Sequence, residues 1–382
     1  MIRNLIQQVK EEFIKTFKKE PICVFSPGRI NIIGEHTDYN DGFVFPAAVD
    51  KGIAAAIQKS NSGNSTAIAL DKDETVVFEL DALKPSKEGR WENYVFGVVA
   101  EIQNRNKIIG DFNIIFKGNI PGGAGMSSSA ALENSVVFGL NKLFDLDLTK
   151  HEMILISQKA EHNYVGVNCG IMDQYASMFG MKDNALHLDC RTIQSKPYKI
   201  DFKDHQFILI NTNVKHTLSD SAYNDRRSAC ENISALLGVK ALRDATETDL
   251  EKIIKKVTPS NYRKALYVIQ ENERTLKAAK AIEDNDLERL GKLIYQSHAG
   301  LSDQYKVSCD ELDFLVAQAK KNKHVLGARM MGGGFGGCTI NLIAKTEVNG
   351  FSKTVSKAYK KKYGKECSIY FIELSQGTHL VQ

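Results

Sequence analysis

Between positions 28 and 40 the chain reads Gly-Arg-Ile-Asn-Ile-Ile-Gly-Glu-His-Thr-Asp-Tyr-Asn, which gathers Arg29, Glu35, His36, Asp38 and Tyr39 into one turn-rich segment. So many directional hydrogen-bonding groups are costly to bury unpaired, so water or a polyhydroxylated ligand should meet them. Adjacent carboxylates and an imidazole supply both the donors and the acceptors that sugar hydroxyls need. A metal centre built from Glu35, His36 and Asp38 is the competing chemistry. Against it, the remaining histidines are scattered and no HExxH occurs. A solvated loop is the third reading. Further on, Cys-Gly-Ile-Met-Asp-Gln at 169–174 sets one acid, Asp173, in an apolar stretch after Gly166 and Gly170. An acid so placed serves either as a general base or as a helix cap.

A second kind of chemistry is written at 120–131, Ile-Pro-Gly-Gly-Ala-Gly-Met-Ser-Ser-Ser-Ala-Ala, where a predicted strand passes into a predicted helix. Glycines let the backbone approach a ligand closely. Serines at a helix N-terminus add hydroxyls to free N–H groups and a favourable dipole, which suits an anion such as a nucleotide phosphate, or a Mg²⁺ contact. A glycine-rich turn with serine N-caps is the structural alternative. The Walker pattern is excluded, because no Lys-Ser or Lys-Thr follows the last glycine. Another glycine cluster, Met331 to Gly337, formally fits GxGxxG at Gly332, Gly334 and Gly337. A dinucleotide fingerprint should open a helix, whereas Cys338 to Ile343 reads as a strand. A tight turn lying under another segment fits better.

The elements that must position these groups are legible from periodicity. Leu5, Ile6, Val9, Phe13 and Phe17 predict an amphipathic helix over 2–18. Cys23 to Phe25 reads as a strand that stops at Ser26-Pro27-Gly28. Turn residues at 61–64 and 71–73 split 53–80 into strands, and 112–117 is a further strand. Leu132, Val136, Leu140 and Phe144 mark a helix after the glycine–serine segment. Thr149 with Glu152 makes a capping box for another, running to about Tyr164 and ending near Gly166. A strand at 207–211 precedes a mostly helical region, 217–320, and the tail alternates at Cys367, Ile369 and Phe371. The expectation is α+β in two lobes, 1–195 and 196–382, with the boundary between 180 and 205 and a C-terminal strand able to return to the first lobe.

Composition narrows the class. The chain has 382 residues, 43% hydrophobic and 25% charged, which suits a globular protein of two or three domains or lobes. Fifty Lys and Arg against 46 Asp and Glu leave +4, too little for a nucleic-acid partner, and the basic stretch 353–365 reads as the wet face of a helix. No run of about 18 apolar residues exists to span a membrane. The opening MIRNLIQQVKEEF lacks the apolar core of a secretory signal. Seven well-separated cysteines without a CxxC pair support neither zinc nor a disulfide framework, so a cytoplasmic location is expected.

Three motifs together resemble one family. GRINIIGEHTDY has the form of the galactokinase signature, IPGGAGMSSSAA that of the ATP-binding motif of the GHMP small-molecule kinases, and GARMMGGGFGGCT that of their third motif. The resemblance spans nearly the whole chain and implies a GHMP fold: an N-terminal lobe like domain 2 of ribosomal protein S5 and a ferredoxin-like C-terminal lobe, with the site between them. It implies ATP-dependent phosphorylation of α-D-galactose at O1, the first committed step of the Leloir pathway. It also implies catalytic roles for Asp173 and Arg29 and sugar contacts from Glu35, His36, Thr37, Asp38, Gly170 and Tyr223. A phosphate cradle of Gly123, Ala124, Gly125, Met126, Ser127, Ser128 and Ser129 follows, with Mg²⁺ held by Ser129 and Glu161. Galactose and ATP are the expected partners of a monomer that binds neither nucleic acid nor membrane. Trp91 and Tyr94 are adenine candidates, a core tryptophan being the alternative. Met331 stands where the third motif often has Thr, which removes a hydroxyl anchor from that loop; Gly333, where Ala is frequent, is a harmless departure. A kinase for N-acetylgalactosamine and a non-catalytic galactose sensor are the rival functions, although the intact Ser127-Ser128-Ser129 run speaks against a sensor.

Overall fold

The expected N-terminal helix forms as α1 (Ile2–Phe17), with Leu5, Ile6, Val9 and Phe13 buried. The structure, a computed structural model, describes residues 2–86, 91–214 and 219–381. After α1 come strands β1 (Ile22–Asn31), β2 (Phe43–Val44), β3 (Pro46–Lys59), β4 (Ser65–Ala69) and β5 (Glu74–Phe78), then α2 (Glu92–Gln103) and β6 (Phe112–Gly118). Helices α3 (Ser128–Leu143), α4 (Lys150–Ala160) and α5 (Met172–Phe179) lead to β7 (Asn184–Asp189), β8 (Gln194–Lys199) and β9 (His205–Asn211). The helical stretch is α6 (Ser219–Leu237), α7 (Glu247–Lys252), α8 (Pro259–Glu283), α9 (Leu287–Ala299) and α10 (Asp310–Lys320). Strands β10 (Val325–Met330) and β11 (Cys338–Ala344), helix α11 (Val348–Tyr363), and strands β12 (Ser368–Phe371) and β13 (His379–Val381) complete the chain.

The strands form a six-stranded sheet ordered β13-β1-β3-β6-β4-β5, a four-stranded sheet β10-β11-β9-β12 and a small sheet β2-β7-β8. The fold is two-lobed α+β. Alternation along β1 places Cys23 and Phe25 under α1, whereas Val24 faces the opposite core with α2, α3 and α4. The last strand returns to the first, pairing Cys23 with Val381. In the four-stranded sheet, β9 and β11 are central and their inward residues are fully buried.

Two local features differ from the sequence expectation or sharpen it. The first strand does not stop at Ser26 but continues to Asn31, with a register shift between Pro27 and Arg29. A Cβ at Gly28 would lie 2.4 Å from the Met126 carbonyl, so the backbone of the glycine–serine loop is packed directly onto this strand. Beyond its capping box at Thr149, α4 passes into a single π-helical turn, Glu161–Val165, closed by Gly166 at φ +84°. Such turns recur at functional sites, and this one begins at the buried acid Glu161.

Helix α9 is seated on β10 at a close glycine contact, flanked by hydrogen bonds from the Tyr295 hydroxyl to the Val325 carbonyl and from Met330 N–H to His298 Nδ1. A Cβ on Gly291 would lie 2.2 Å from the Leu326 carbonyl oxygen, and one on Gly327 would lie 2.7 Å from Gly291 Cα. Overpacking at a backbone contact has no flexible side chain to absorb it. Gly291→Ala should therefore destabilise the protein by roughly 1–3 kcal/mol, read as a lower chemical-denaturation midpoint. An unchanged midpoint would show that α9 and β10 can separate at little cost.

Candidate active site

The glycine–serine segment is fixed by backbone contacts on both sides. Arg29 N–H donates to the Met126 carbonyl at 3.1 Å. From the other lobe, the 331–337 loop lies against it: a Cβ on Gly125 would come within 3.0 Å of the Met331 carbonyl, and one on Gly332 within 3.2 Å of the Gly125 carbonyl. Gly123, Gly125, Gly332, Gly334 and Gly337 all have positive φ, which only glycine adopts freely. Met331 needs no hydroxyl anchor, because its N–H donates to the Cys338 carbonyl at 2.9 Å and Gly332 N–H donates to Glu35 Oε1 at 2.7 Å. Ser127 is the N-cap of α3 in a left-handed conformation and makes no side-chain cap bond. Its hydroxyl donates to Asp173 Oδ2 instead, so the helix N-terminus keeps N–H groups for an anion.

Asp173 lies in the first turn of α5 and is not its cap. Arg29 holds it in a bidentate pair, Nε to Oδ1 at 2.8 Å and Nη2 to Oδ2 at 2.9 Å, while Nη1 donates to the Gly125 carbonyl. This pair stands where two cavities meet. One, of about 590 Å³, is lined by Gly123, Gly125, Ser127, Ser129 and the 331–337 loop. The other, of about 110 Å³, is lined by Glu35, His36, Asp38, Glu161, Cys169 and Gly333. Arg29, Asp173 and Tyr223 line both.

The smaller cavity is rich in acids. Glu35 Oε1 receives Gly332 N–H and Nη1 of the fully buried Arg329, 3.1 Å away. Burial would raise this carboxyl, but Arg329, Arg29 and the Gly332 amide outweigh it and hold it below its ordinary range. Asp38 makes no ion pair among the described residues, and burial with Asp173 and Glu35 nearby outweighs the Tyr39 amide and Arg227 and pushes it up to about 7. Burial and Asp173 likewise push Glu161 up to about 7, although the Ser129 hydroxyl and the Gln174 amide hydrogen-bond its carboxylate. Unpaired acids held close together at this cost mark a place where donors or a cation arrive with a ligand.

The galactokinase galactose-binding signature matches residues 11–59, the GHMP kinase N-terminal domain 93–181 and the GHMP kinase C-terminal domain 278–361. A galactokinase of Clostridium acetobutylicum is 39% identical over 98% of this chain and 98% of its own. The chain belongs to the galactokinase family. The crystal structure of Lactococcus lactis galactokinase complexed with galactose is 34% identical, covers 98% of this chain and 99% of that one, and superposes with a TM-score of 0.94. Methanococcus jannaschii mevalonate kinase, at 16% identity and a TM-score of 0.65, covering 94% of this chain and 100% of that one, shares the fold.

Among the galactokinase motif residues, the structure brings together Arg29, Glu35, His36, Asp38, Gly123, Gly125, Ser127, Ser129, Glu161, Asp173 and Tyr223 on the cavity walls. Others take different places. The Thr37 hydroxyl lies 2.8 Å from the Gly34 carbonyl and 2.7 Å from that of Phe43, so it closes the loop and does not face the cavity. Ala124 and Met126 bury their side chains in the core and contribute backbone only, and Ser128 is exposed. Gly170 makes room: a Cβ there would lie 2.1 Å from Asp38 Oδ2. Trp91 is a core residue, with its ring 5.1 Å from Phe116 and its indole N–H on Glu74.

Several residues that build the site were given no role by the motif reading, including one inside the third motif. Arg329 is the cation beneath Glu35, and an arginine between Ala328 and Met330 in a short apolar strand is a usable signal of a buried charge. Tyr267 donates to the Glu35 carbonyl at 2.9 Å, and Glu271 receives Gly34 N–H at 3.0 Å, so one face of α8 grips the sugar segment. Glu133, fully buried on α3, is pushed well up by burial and by Glu161. An acid amid the apolar run of α3 was its signal.

Asp38 has a stability signature. Between its ordinary value of 3.8 and about 7 the folded state holds a proton that the unfolded state has lost. Its contribution to stability therefore falls as pH rises through that window and is fully lost above it. Asp38→Asn should stabilise the ligand-free protein by roughly 1–3 kcal/mol at pH 8 and by less at pH 5. Equal effects at both pH values in chemical denaturation would contradict this account.

Proposed function

We propose that the protein transfers the γ-phosphoryl group of ATP to O1 of α-D-galactose, giving α-D-galactose 1-phosphate and ADP, the entry to the Leloir pathway. The observation that carries the reading is the Arg29–Asp173 pair at the junction of a donor-rich cleft and an acid-lined pocket. The cleft suits the polyphosphate of ATP and the pocket suits a neutral polyol. Full-length likeness to galactokinases, one of them described with galactose bound, supports the choice of sugar.

Phosphoryl transfer is mainly positioning and charge stabilisation, because the transition state is loose and its charge lies on equatorial oxygens. Asp173 Oδ2 already accepts from Arg29 and Ser127, whereas Oδ1 accepts from Arg29 alone and keeps a lone pair for the O1 hydroxyl. Asp173 thus orients O1 and takes its proton late, when bonding to phosphorus has made it acidic. Arg29 uses three N–H groups on Asp173 and Gly125, which leaves two for the transferring phosphoryl group. Glu35, Asp38 and Tyr223 hold sugar hydroxyls.

Ser129 and Glu161 fit Mg²⁺. Glu161 is a buried acid without a cation among the described residues, its hydroxyl neighbour is the first-turn serine of α3, and no set of three protein ligands competes. Two protein oxygens with phosphates and water are what Mg²⁺ takes, and the ion would neutralise charge on the polyphosphate. Lobes of 1–195 and 196–382 are supported by all four strands of β10-β11-β9-β12 following residue 195, although that division falls within β8 (Gln194–Lys199), so the lobes meet nearer the end of that strand. Seven unpaired cysteines favour a reducing cytoplasm, where the protein acts as a monomer.

The test is ADP release from Mg-ATP with galactose, glucose, N-acetylgalactosamine, arabinose or mevalonate, each with and without EDTA. Turnover should be fastest with galactose and abolished by EDTA. Sugar binding without turnover would instead indicate a sensor. Asp173→Asn should lose turnover while calorimetry still detects ATP, and substantial residual activity would remove Asp173 from its role. Arg29→Met should cost on the order of 10³ in kcat, and a loss of only a few-fold would reduce it to an ion-pair partner.

A further inference from the structure

The hydrogen bonds around His36 are satisfied in one direction only. Nε2 of its ring lies 3.2 Å from the Gly333 carbonyl oxygen, and Nδ1 lies 2.8 Å from the Tyr39 hydroxyl. A carbonyl only accepts, so Nε2 carries the hydrogen. Burial lowers the ring to about 4; Glu35 and the Gly333 carbonyl oppose this, while Arg226 from α6 and Arg329 from β10 add to it. The ring is therefore neutral at pH 7, and Nδ1 accepts from Tyr39. The Tyr39 oxygen lies 2.7 Å from the Tyr305 hydroxyl, which must donate to it, and the Tyr305 oxygen then receives the Cys230 thiol at 3.4 Å. Every hydrogen in the series Cys230, Tyr305, Tyr39, His36 points towards Gly333.

We propose that Tyr39 and Tyr305 are positioning residues: the Gly333 carbonyl selects the Nε2–H tautomer of His36, and the two hydroxyls hold the ring in the orientation that keeps this bond, and with it the 331–337 loop, over the sugar pocket. Three further observations support this. His36 has φ +62°, a left-handed backbone that a non-glycine residue keeps only when its surroundings over-determine it. Its ring is packed among Tyr39, Tyr223 and Tyr305 at centroid distances of 5.9, 5.3 and 5.1 Å, so reorientation has little room. Both ring nitrogens already have protein partners, so the ring links the sugar segment of one lobe to the glycine loop of the other. Gly333 in turn lines both cavities. The order of the sequence supplies the logic: Tyr39 follows His36 by three residues, while Tyr305 and Cys230 come from the helical half of the chain.

Removing the Tyr39 hydroxyl leaves Nδ1 a buried acceptor without a donor. Moving the hydrogen to Nδ1 would gain nothing, because its partner there is gone; the ring satisfies Nδ1 only by turning towards another donor, which weakens the contact with Gly333. Removing the Tyr305 hydroxyl leaves the Tyr39–His36 bond in place and should have a smaller effect.

The direct test is the ring ¹⁵N spectrum of His36 at pH 7 without substrate, assigned by its loss in His36→Gln. The wild type should show the Nε2–H pattern with slow exchange of that hydrogen; Tyr39→Phe should shift the Nδ1 resonance, which has lost its donor, and speed exchange of the Nε2–H as the ring leaves Gly333, and Tyr305→Phe should change both less. A wild-type Nδ1–H pattern, or a Tyr39→Phe spectrum identical to wild type, would overturn the proposal. If Tyr39→Phe does not fold, the wild-type and Tyr305→Phe spectra decide. The kinetic arm alone rests on the galactose reading. Tyr39→Phe should raise KM for galactose roughly tenfold or more, with a smaller change for ATP, and an unchanged galactose KM would count against the relay. Absence of galactose turnover by a wild type that shows the Nε2–H spectrum would overturn the substrate assignment and leave the relay standing.

Discussion

A guanidinium shut away from water organises this molecule. Arg329 is fully buried, and a buried charge is tolerated only when paired and hydrogen-bonded on all sides. Its partners are the carbonyls of Asn31, Ile32 and Met330 and the carboxylate of Glu35. Two of those carbonyls and the carboxylate belong to the end of β1 and the segment that follows it, so satisfying one side chain of β10 requires the sugar segment to lie against the other lobe. The close glycine contact between α9 and β10 fixes the strand that carries the arginine. The face of α8 bearing Tyr267 and Glu271 then clamps the same segment from a second direction.

From that constraint the meeting of the two glycine-rich loops follows. With Glu35 bound to Gly332 N–H, the 331–337 loop is drawn onto Gly123 and Gly125, and the contact is backbone against backbone. Side chains there would hold the lobes apart and fill the cleft. Each loop thereby gives up polar side chains of its own, and the cleft is lined by peptide groups, one helix N-terminus and the serines that begin it. Such a surface recognises charge and shape, which suits a polyphosphate.

The sequence carried the two ends of this account better than its middle. Periodicity placed α1, α3 and α4, and the Thr149 capping box formed as read, because each depends on neighbours three or four residues away. The strand ending at Ser26 was misjudged: Pro27 and Gly28 have turn chemistry, but contacts with Met126 and β3 carry the strand through them. Similarly, Thr37 belongs to the sugar motif yet spends its hydroxyl on backbone, and Trp91 packs in the core. Arg329, Tyr305 and Glu133 remained hidden, because their roles depend on partners more than 25 positions distant. The motifs say which residues matter, whereas only the fold says which of them face the ligand.

The division of charge in the site bears on how a catalytic cycle ends. Peptide N–H groups and Arg29 lie on the cleft side, while Glu35, Asp38 and Glu161 lie on the pocket side, with Asp173 between them. A neutral sugar entering the pocket offers hydroxyl donors to Asp38, and Mg²⁺ arriving with the nucleotide would offset the charge of Glu161, so each raised acid gains a partner. Once phosphorylated, the same sugar carries negative charge beside those acids, and at these short separations in a poorly hydrated site the repulsion is several-fold stronger than in water. The arrangement that welcomes the substrate is therefore unfavourable to its product. Buried acids, costly to the resting fold, bind what arrives uncharged and hasten the release of what leaves charged, without altering the overall equilibrium.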